Sequence, residues 1–125
     1  MNSKHDINIR NAIICWFITF GYMGIIFFLS SQHSFHLHGL PENADKVVHT
    51  FIYIPLAFMI YLSLNRSGLK KSLFAVAFIF AGIYGITDEF HQYFVSGRYA
   101  SAGDVVADFL GALVGSTGAK YFIKS

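Results

Sequence analysis

The chain has 125 residues, of which 54% are hydrophobic and only 13% are charged, and its net charge is +2. This balance is more apolar than that of ordinary soluble domains, and the length fits one domain. The small net charge gives no basic surface for nucleic acid, and the lone Cys15 excludes an intramolecular disulfide. We therefore expect one membrane domain over residues 1–125 that binds no nucleic acid.

Four apolar runs predict an all-α, polytopic membrane protein built as a four-helix transmembrane bundle. The first run has about 18 residues, which at 1.5 Å per residue nearly cross a ~30 Å hydrocarbon core. It is longer than the apolar core of a signal peptide and lacks a cleavage pattern, so we interpret it as retained. The third run is short, so either residues 87–92 continue its helix or the segment is broken there. The predicted spans are 12–29, 47–64, 72–89 and 104–123.

The basic residues are distributed unevenly between the two sides of such a bundle. Seven of the 9 Lys and Arg residues fall on the side of the termini: Lys4, Arg10, Arg66, Lys70, Lys71, Lys120 and Lys124. The positive-inside rule therefore predicts that both termini are cytoplasmic. Six of the 7 acidic residues and five of the 6 histidines then lie toward the outside.

The fourth run begins with two carboxylates, Asp104 and Asp108, which share one face of a helix because they are four residues apart. Asp104 stands where the helix dipole favours a carboxylate, so capping alone is an alternative to a functional role. Asp108 lies one turn deeper, where an unpaired charge in lipid costs about 2.5–3.5 kcal/mol. We therefore expect Asp108 to be paired, protonated or in contact with water.

Small residues continue this helical face, namely Ala107, Gly111 and Gly115. Small residues at four-residue spacing allow another helix to approach closely. The stripe therefore predicts a helix contact, either within the chain or in a homo-oligomer, and the sequence leaves both open.

A second polar group follows the third run, where Asp88 and Gln92 share a helical face and Glu89 lies beside them. Neighbouring carboxylates favour proton sharing, which general acid–base catalysis uses. Alternatively, both carboxylates lie in water at the outer edge of the membrane and pair with Arg98 or Lys46. Arg98, in a turn-like Ser-Gly-Arg sequence, offers a planar fork for phosphate or for a carboxylate.

Asp45, Lys46 and His49 open the second run. Asp45 and His49 are four residues apart, a spacing that lets a carboxylate orient an imidazole as a base or a metal ligand. A purely structural hydrogen-bonded pair is the alternative. The histidines of the preceding loop match no metal-binding signature, so we predict no metal and no cofactor.

These segments together resemble the VanZ-like family. The resemblance rests on FFLSSQ at the end of the first run, DKVVH at the start of the second, DEFHQYFVSGR after the third and DVVADFLGALVG in the fourth. It covers most of residues 27–115 in the same order and spacing. It implies a small integral membrane protein of the bacterial plasma membrane, in a family whose named member is associated with low-level teicoplanin resistance.

The chain departs from the family pattern at two positions. Ser96 stands where Pro is frequent, and Asp108 stands where Asn is common, which adds a negative charge. By resemblance the motif residues are Asp45, Lys46, His49, Asp88, Glu89, Gln92, Arg98 and Asp104.

Three functions fit an outward-facing polar site in such a protein. The first is a hydrolase or transferase that acts on a lipid-linked envelope precursor or a phospholipid headgroup. The second is a protein that binds such a lipid, or a glycopeptide, without turnover. The third, which we rank last because four helices make a small carrier, is a proton-coupled transporter. For the enzyme, the candidate catalytic residues are Asp45, His49, Asp88, Glu89, Gln92 and Asp104, and the candidate substrate-binding residues are Lys46, Arg98 and Asp108.

Overall fold

The computed structural model describes residues 8–30, 44–94 and 102–123, and only the backbone of residues 44 and 45. Within these residues the chain forms four helices and no strand, which confirms the all-α prediction. The helices are α1 (Ile9–Ser30), α2 (Ala44–Arg66), α3 (Leu73–Tyr93) and α4 (Ala102–Phe122).

The helices pack antiparallel to their neighbours in sequence. Helix α2 is central, because it contacts each of the other three, whereas α3 and α4 contact each other closely and α1 touches α3 only slightly. The core between them is built from fully buried residues, such as Leu56, Ala57 and Ile60 of α2 and Ala77 and Ala81 of α3. The end of α1, the start of α2, the end of α3 and the start of α4 therefore meet at one end of the bundle.

Three of the helices are long and apolar enough to cross a membrane, namely α1, α2 from Lys46 onward, and α3. Their outward surfaces carry large apolar side chains; Phe17 of α1, for example, is 80% exposed. Such surfaces are favourable in lipid and unfavourable in water. The chain thus has the helices of a membrane protein.

Helix α3 runs without a break from Leu73 to Tyr93. Residues 87–92 therefore continue the helix of the short third run, which answers the question that the sequence left open. Because the helix is continuous, its polar end keeps the helical spacing, and Asp88, Glu89 and Gln92 are all buried.

The small-residue stripe of α4 packs against α2 within the chain. A Cβ atom at Gly111 would lie 2.3 Å from the carbonyl oxygen of Thr50, and one at Gly115 would lie 2.1 Å from that of Ile54. Ala107, on the same face, is 4% exposed. This face is therefore occupied by α2 in the folded chain, and any homo-oligomer that uses it would have to displace α2.

Hydroxyl groups join α1 to α2 toward the opposite end of the bundle. Trp16 donates a hydrogen bond from Nε1 to Oγ of Ser67 at 2.7 Å, and the hydroxyls of Thr19 and Ser63 lie 2.9 Å apart. Polar bonds of this kind hold helices together where no hydrophobic difference between protein and lipid can do so. They fix the position of α1 along α2.

Candidate functional site

The polar side chains at one end of the bundle come from all four helices. Ser30 ends α1, and the first two turns of α2 and of α4 face the last two turns of α3. The buried members of this group are Ser30, Asp88, Glu89, Gln92, Asp104 and Asp108, each at most 5% exposed. Burying so many polar groups in an apolar bundle costs free energy unless they are paired, which makes this end the candidate site.

His49 and Asp108 form the central contact of the site. Nδ1 of His49 lies 2.8 Å from Oδ1 of Asp108, the imidazole side chain is 12% exposed, and the carboxylate is fully buried. Asp108 is thus paired, one of the three states expected for it. A carboxylate on one ring nitrogen fixes the orientation of the imidazole and leaves the other nitrogen available.

A second ion pair joins the same two helices one turn nearer to the end of the bundle. Nζ of Lys46 lies 3.7 Å from Oδ1 of Asp104, and the side chains are 38% and 4% exposed, respectively. Asp104, in the first turn of α4, is therefore buried and has a basic partner in α2. Thr50 bridges the helices as well, because its hydroxyl donates to the carbonyl of Ala107 at 3.2 Å.

Asp88 belongs to a hydrogen-bonded group that includes two residues absent from the sequence-based site. Ser30 donates its hydroxyl to Oδ1 of Asp88, and the hydroxyl of Tyr53 lies 3.4 Å from Oδ2. Gln92 in turn donates from Nε2 to the hydroxyl of Ser30 at 3.3 Å. The sequence did hold signals for both: Ser30 lies in FFLSSQ, and Tyr53 follows His49 by one helical turn.

Glu89 completes the centre of the site from α3. One possible ligand atom from each of His49, Glu89 and Asp108 lies within 4.8 Å of the other two. Close packing of α3 and α4 makes this possible, because a Cβ atom at Gly85 would lie 2.7 Å from Cβ of Asp108. A side chain larger than hydrogen at Gly85 would therefore push Asp108 away from Glu89.

The described geometry does not include two members of the sequence-based site. Arg98 lies outside the described residues, and so does the side chain of Asp45. Their predicted roles, a phosphate clamp and a partner for His49, stay predictions. The loop histidines His33, His36 and His38 also lie outside the described residues.

A groove leads to the site along the surface between α3 and α4. It has a volume of about 470 Å³ and is lined by Ile86, Glu89, Phe90, Tyr93, Phe94, Ala102 and Val105. Among the described lining residues Glu89 is the only charged one, and it is 5% exposed. The described lining of this shallow groove is therefore apolar except at Glu89, which also lies beside His49 and Asp108.

These features define an all-helical protein of the membrane type, with a cluster of ionisable residues buried at one end of its bundle. A family model described as VanZ/LLP1 matches residues 3–123, nearly the whole chain. The chain belongs to this family, which confirms the resemblance found in its sequence motifs. Searches among curated proteins and among solved structures gave no match.

Proposed function

We propose that all four helices span the bacterial plasma membrane and that both termini are cytoplasmic. Helix α4 is not among the three helices described above as long and apolar enough to cross a membrane, but its polar residues face inward: Asp108 and Ser116 are fully buried. Its outward face carries Val106, Leu110 and Val114, each more than half exposed. A helix of 21 residues is about 31 Å long, enough to cross the hydrocarbon core. The distribution of Lys and Arg residues supports the orientation, with the candidate site toward the outer leaflet.

The function that this geometry supports best is hydrolysis or transfer on the phosphate-bearing headgroup of a membrane lipid, such as a lipid-linked envelope precursor. The observation that carries the proposal is the contact between His49 and the fully buried Asp108. An imidazole held by a carboxylate at Nδ1 can take a proton from water or a hydroxyl at Nε2. The contact with Asp108 uses Nδ1, so Nε2 is the ring nitrogen that would face a reactant.

The surroundings of His49 support a substrate that is a lipid. The groove between α3 and α4 is lined mainly by apolar side chains and ends at Glu89, which lies beside His49 and Asp108. A lipid tail in the groove would bring its headgroup to these residues. Lys46, whose side chain is 38% exposed beside Asp104, supplies an ammonium group that a phosphate can contact. The family's association with teicoplanin resistance fits a role in the cell envelope.

The proposal is tested with the purified full-length protein in liposomes that contain either a prenyl pyrophosphate lipid or phosphatidylglycerol. Release of phosphate or of the headgroup is measured by mass spectrometry. We expect His49→Ala to lower the rate by about 10²–10⁴-fold, the usual contribution of a general base. Asp108→Asn should also lower the rate, because the amide NH₂ group can donate to Nδ1. The imidazole proton then lies on Nε2, which can no longer accept a proton.

The matched control is Lys120→Gln, which removes a charge from α4 at the opposite end of the bundle and should release headgroups at the wild-type rate. If wild type and His49→Ala give equal rates with both lipids, the proposed chemistry is wrong. Lipid that co-purifies with the wild type without any turnover would instead favour a binding protein.

A further inference from the structure

Three ionisable side chains from three different helices converge at the centre of the site. His49 comes from α2, Glu89 from α3 and Asp108 from α4, and one possible ligand atom from each lies within 4.8 Å of the other two. Both carboxylates are buried, at 5% and 0% exposure. A cluster of this kind is costly in a bundle of apolar helices unless something compensates its charge.

One carboxylate oxygen of the cluster has no hydrogen-bond partner in the described part of the chain. Oδ1 of Asp108 contacts His49, but Oδ2 is fully buried and has no hydrogen-bond partner among the described residues. Oδ2 lies 2.8 Å from the position that a Cβ atom of Gly85 would take, so it faces α3. Glu89 is one helical turn after Gly85, and the oxygen is therefore directed toward the part of α3 that carries the second carboxylate.

The charges of the surrounding residues favour a positively charged ligand at this cluster. Four carboxylates are buried at this end, those of Asp88, Glu89, Asp104 and Asp108. Within the part of the chain that the structure describes, Lys46 pairs with Asp104 at 3.7 Å, and His49 contacts Asp108 at 2.8 Å. A bound cation would reduce the repulsion between the carboxylates and would give Oδ2 of Asp108 a partner.

We propose that His49, Glu89 and Asp108 bind one divalent transition-metal cation of the Zn²⁺ or Mn²⁺ type. One imidazole nitrogen and two carboxylate oxygens are ligands that both ions accept. Tetrahedral zinc places its ligand atoms about 3.4 Å apart, so the side chains must close on the ion by about 1 Å. Three protein ligands leave a coordination position open, as in catalytic sites.

The cation deepens the proposed function and rests on it in one respect, namely that phosphate oxygens of the headgroup would occupy the open position. In the cation-bound state His49 is a ligand, so the general-base role given to it above applies to the metal-free protein, and activation of the attacking water would pass to the cation. The cation would also let an anionic headgroup approach a site that is rich in carboxylates.

The test begins with the full-length protein, purified in detergent and freed of metal with a chelator. Zn²⁺ binding is measured by calorimetry and Mn²⁺ binding by electron paramagnetic resonance. We expect one ion per chain, and we expect Glu89→Gln and Asp108→Asn each to weaken binding by more than about 100-fold, beyond the usual effect of an outer-shell partner. The matched control is Lys120→Gln, which removes a charge from α4 at the opposite end of the bundle and should bind the cation as tightly as the wild type.

A second measurement uses only the wild type, so it does not depend on whether a variant folds. Pulsed paramagnetic resonance of the wild type loaded with Mn²⁺ should show coupling to one histidine nitrogen. Absence of this coupling, or equal affinity of the wild type and Glu89→Gln, would overturn the proposed cation site.

The lipid assay separates the two proposals. If wild-type protein freed of metal with a chelator releases headgroups, and binds no cation when metal is added, the proposed function stands and the cation site is wrong. If the wild type binds one cation tightly but releases no headgroup, whether or not metal is added to the lipid assay, the cation site stands and the proposed function is wrong.

Discussion

The contact between α2 and α4 gives a prediction whose size can be worked out from the structure, the substitution Gly111→Ala. Its Cβ atom would lie 2.3 Å from the carbonyl oxygen of Thr50 and 2.8 Å from Cβ of Tyr53. The oxygen belongs to the backbone of α2 and cannot rotate away as a side chain would. The two helices must therefore separate by about 1 Å to restore an ordinary van der Waals contact.

This separation would reach the candidate site, because His49 precedes Thr50 and Asp108 lies one turn before Gly111. The contact between Nδ1 and Oδ1 is now 2.8 Å long, so about 1 Å more would take it beyond hydrogen-bonding distance. Overpacking and the lost charge-assisted bond both destabilise, whereas the better helix propensity of alanine stabilises. Together they should lower the free energy of unfolding by roughly 2–5 kcal/mol.

Reversible unfolding in mixed detergent micelles, followed by circular dichroism, measures this free energy. The matched control is Gly118→Ala on the same helix, where a Cβ atom would meet nothing within 4 Å. The control should raise stability by about 0.5–1 kcal/mol, because glycine in a helix interior is unfavourable. If Gly111→Ala is as stable as Gly118→Ala, and releases headgroups at the wild-type rate, the close packing of α2 on α4 is wrong.

Two further predictions use the same unfolding measurement. Thr19→Val removes the 2.9 Å contact with Ser63 and should cost about 0.6–1.7 kcal/mol, the range for such bonds between membrane helices; an unchanged free energy would mean that this bond does not hold α1. Ser30→Ala should cost about 1.5–3 kcal/mol, because it removes a donor to the Asp88 carboxylate. Tyr53→Phe should cost less, since its hydroxyl is 3.4 Å from the carboxylate, and an equal or greater loss would contradict the order of these two contacts.

Much of the helical organisation was predictable because it depends on local properties of the chain. The apolar runs predicted four helices, and the four-residue spacing of Asp104 and Asp108 correctly placed both on one buried face with Gly111 and Gly115. The family resemblance was likewise present in the motifs themselves. Helix periodicity and side-chain size are read directly from the order of residues, which is why these predictions hold without any knowledge of packing.

The boundaries of the site were harder to predict. The sequence favoured Asp88 and Glu89 as neighbours with a shared role, yet they take part in different groups. Asp88 contacts Ser30 and Tyr53, whereas Glu89 lies with His49 and Asp108. Successive residues of a helix point about 100° apart, so which neighbour each one meets depends on how the helix is rotated in the bundle.

The sequence by itself determined the class of the protein: an apolar helical chain of the VanZ/LLP1 family with polar residues concentrated at the ends of its runs. Only the tertiary structure decided which of these residues touch. His49 meets a carboxylate 59 positions later in the chain, from α4, and the three possible cation ligands come from three helices. Such contacts depend on the register and rotation of whole helices. Those are fixed by close approach at Gly85, Gly111 and Gly115, where a single added carbon atom would move the helices apart.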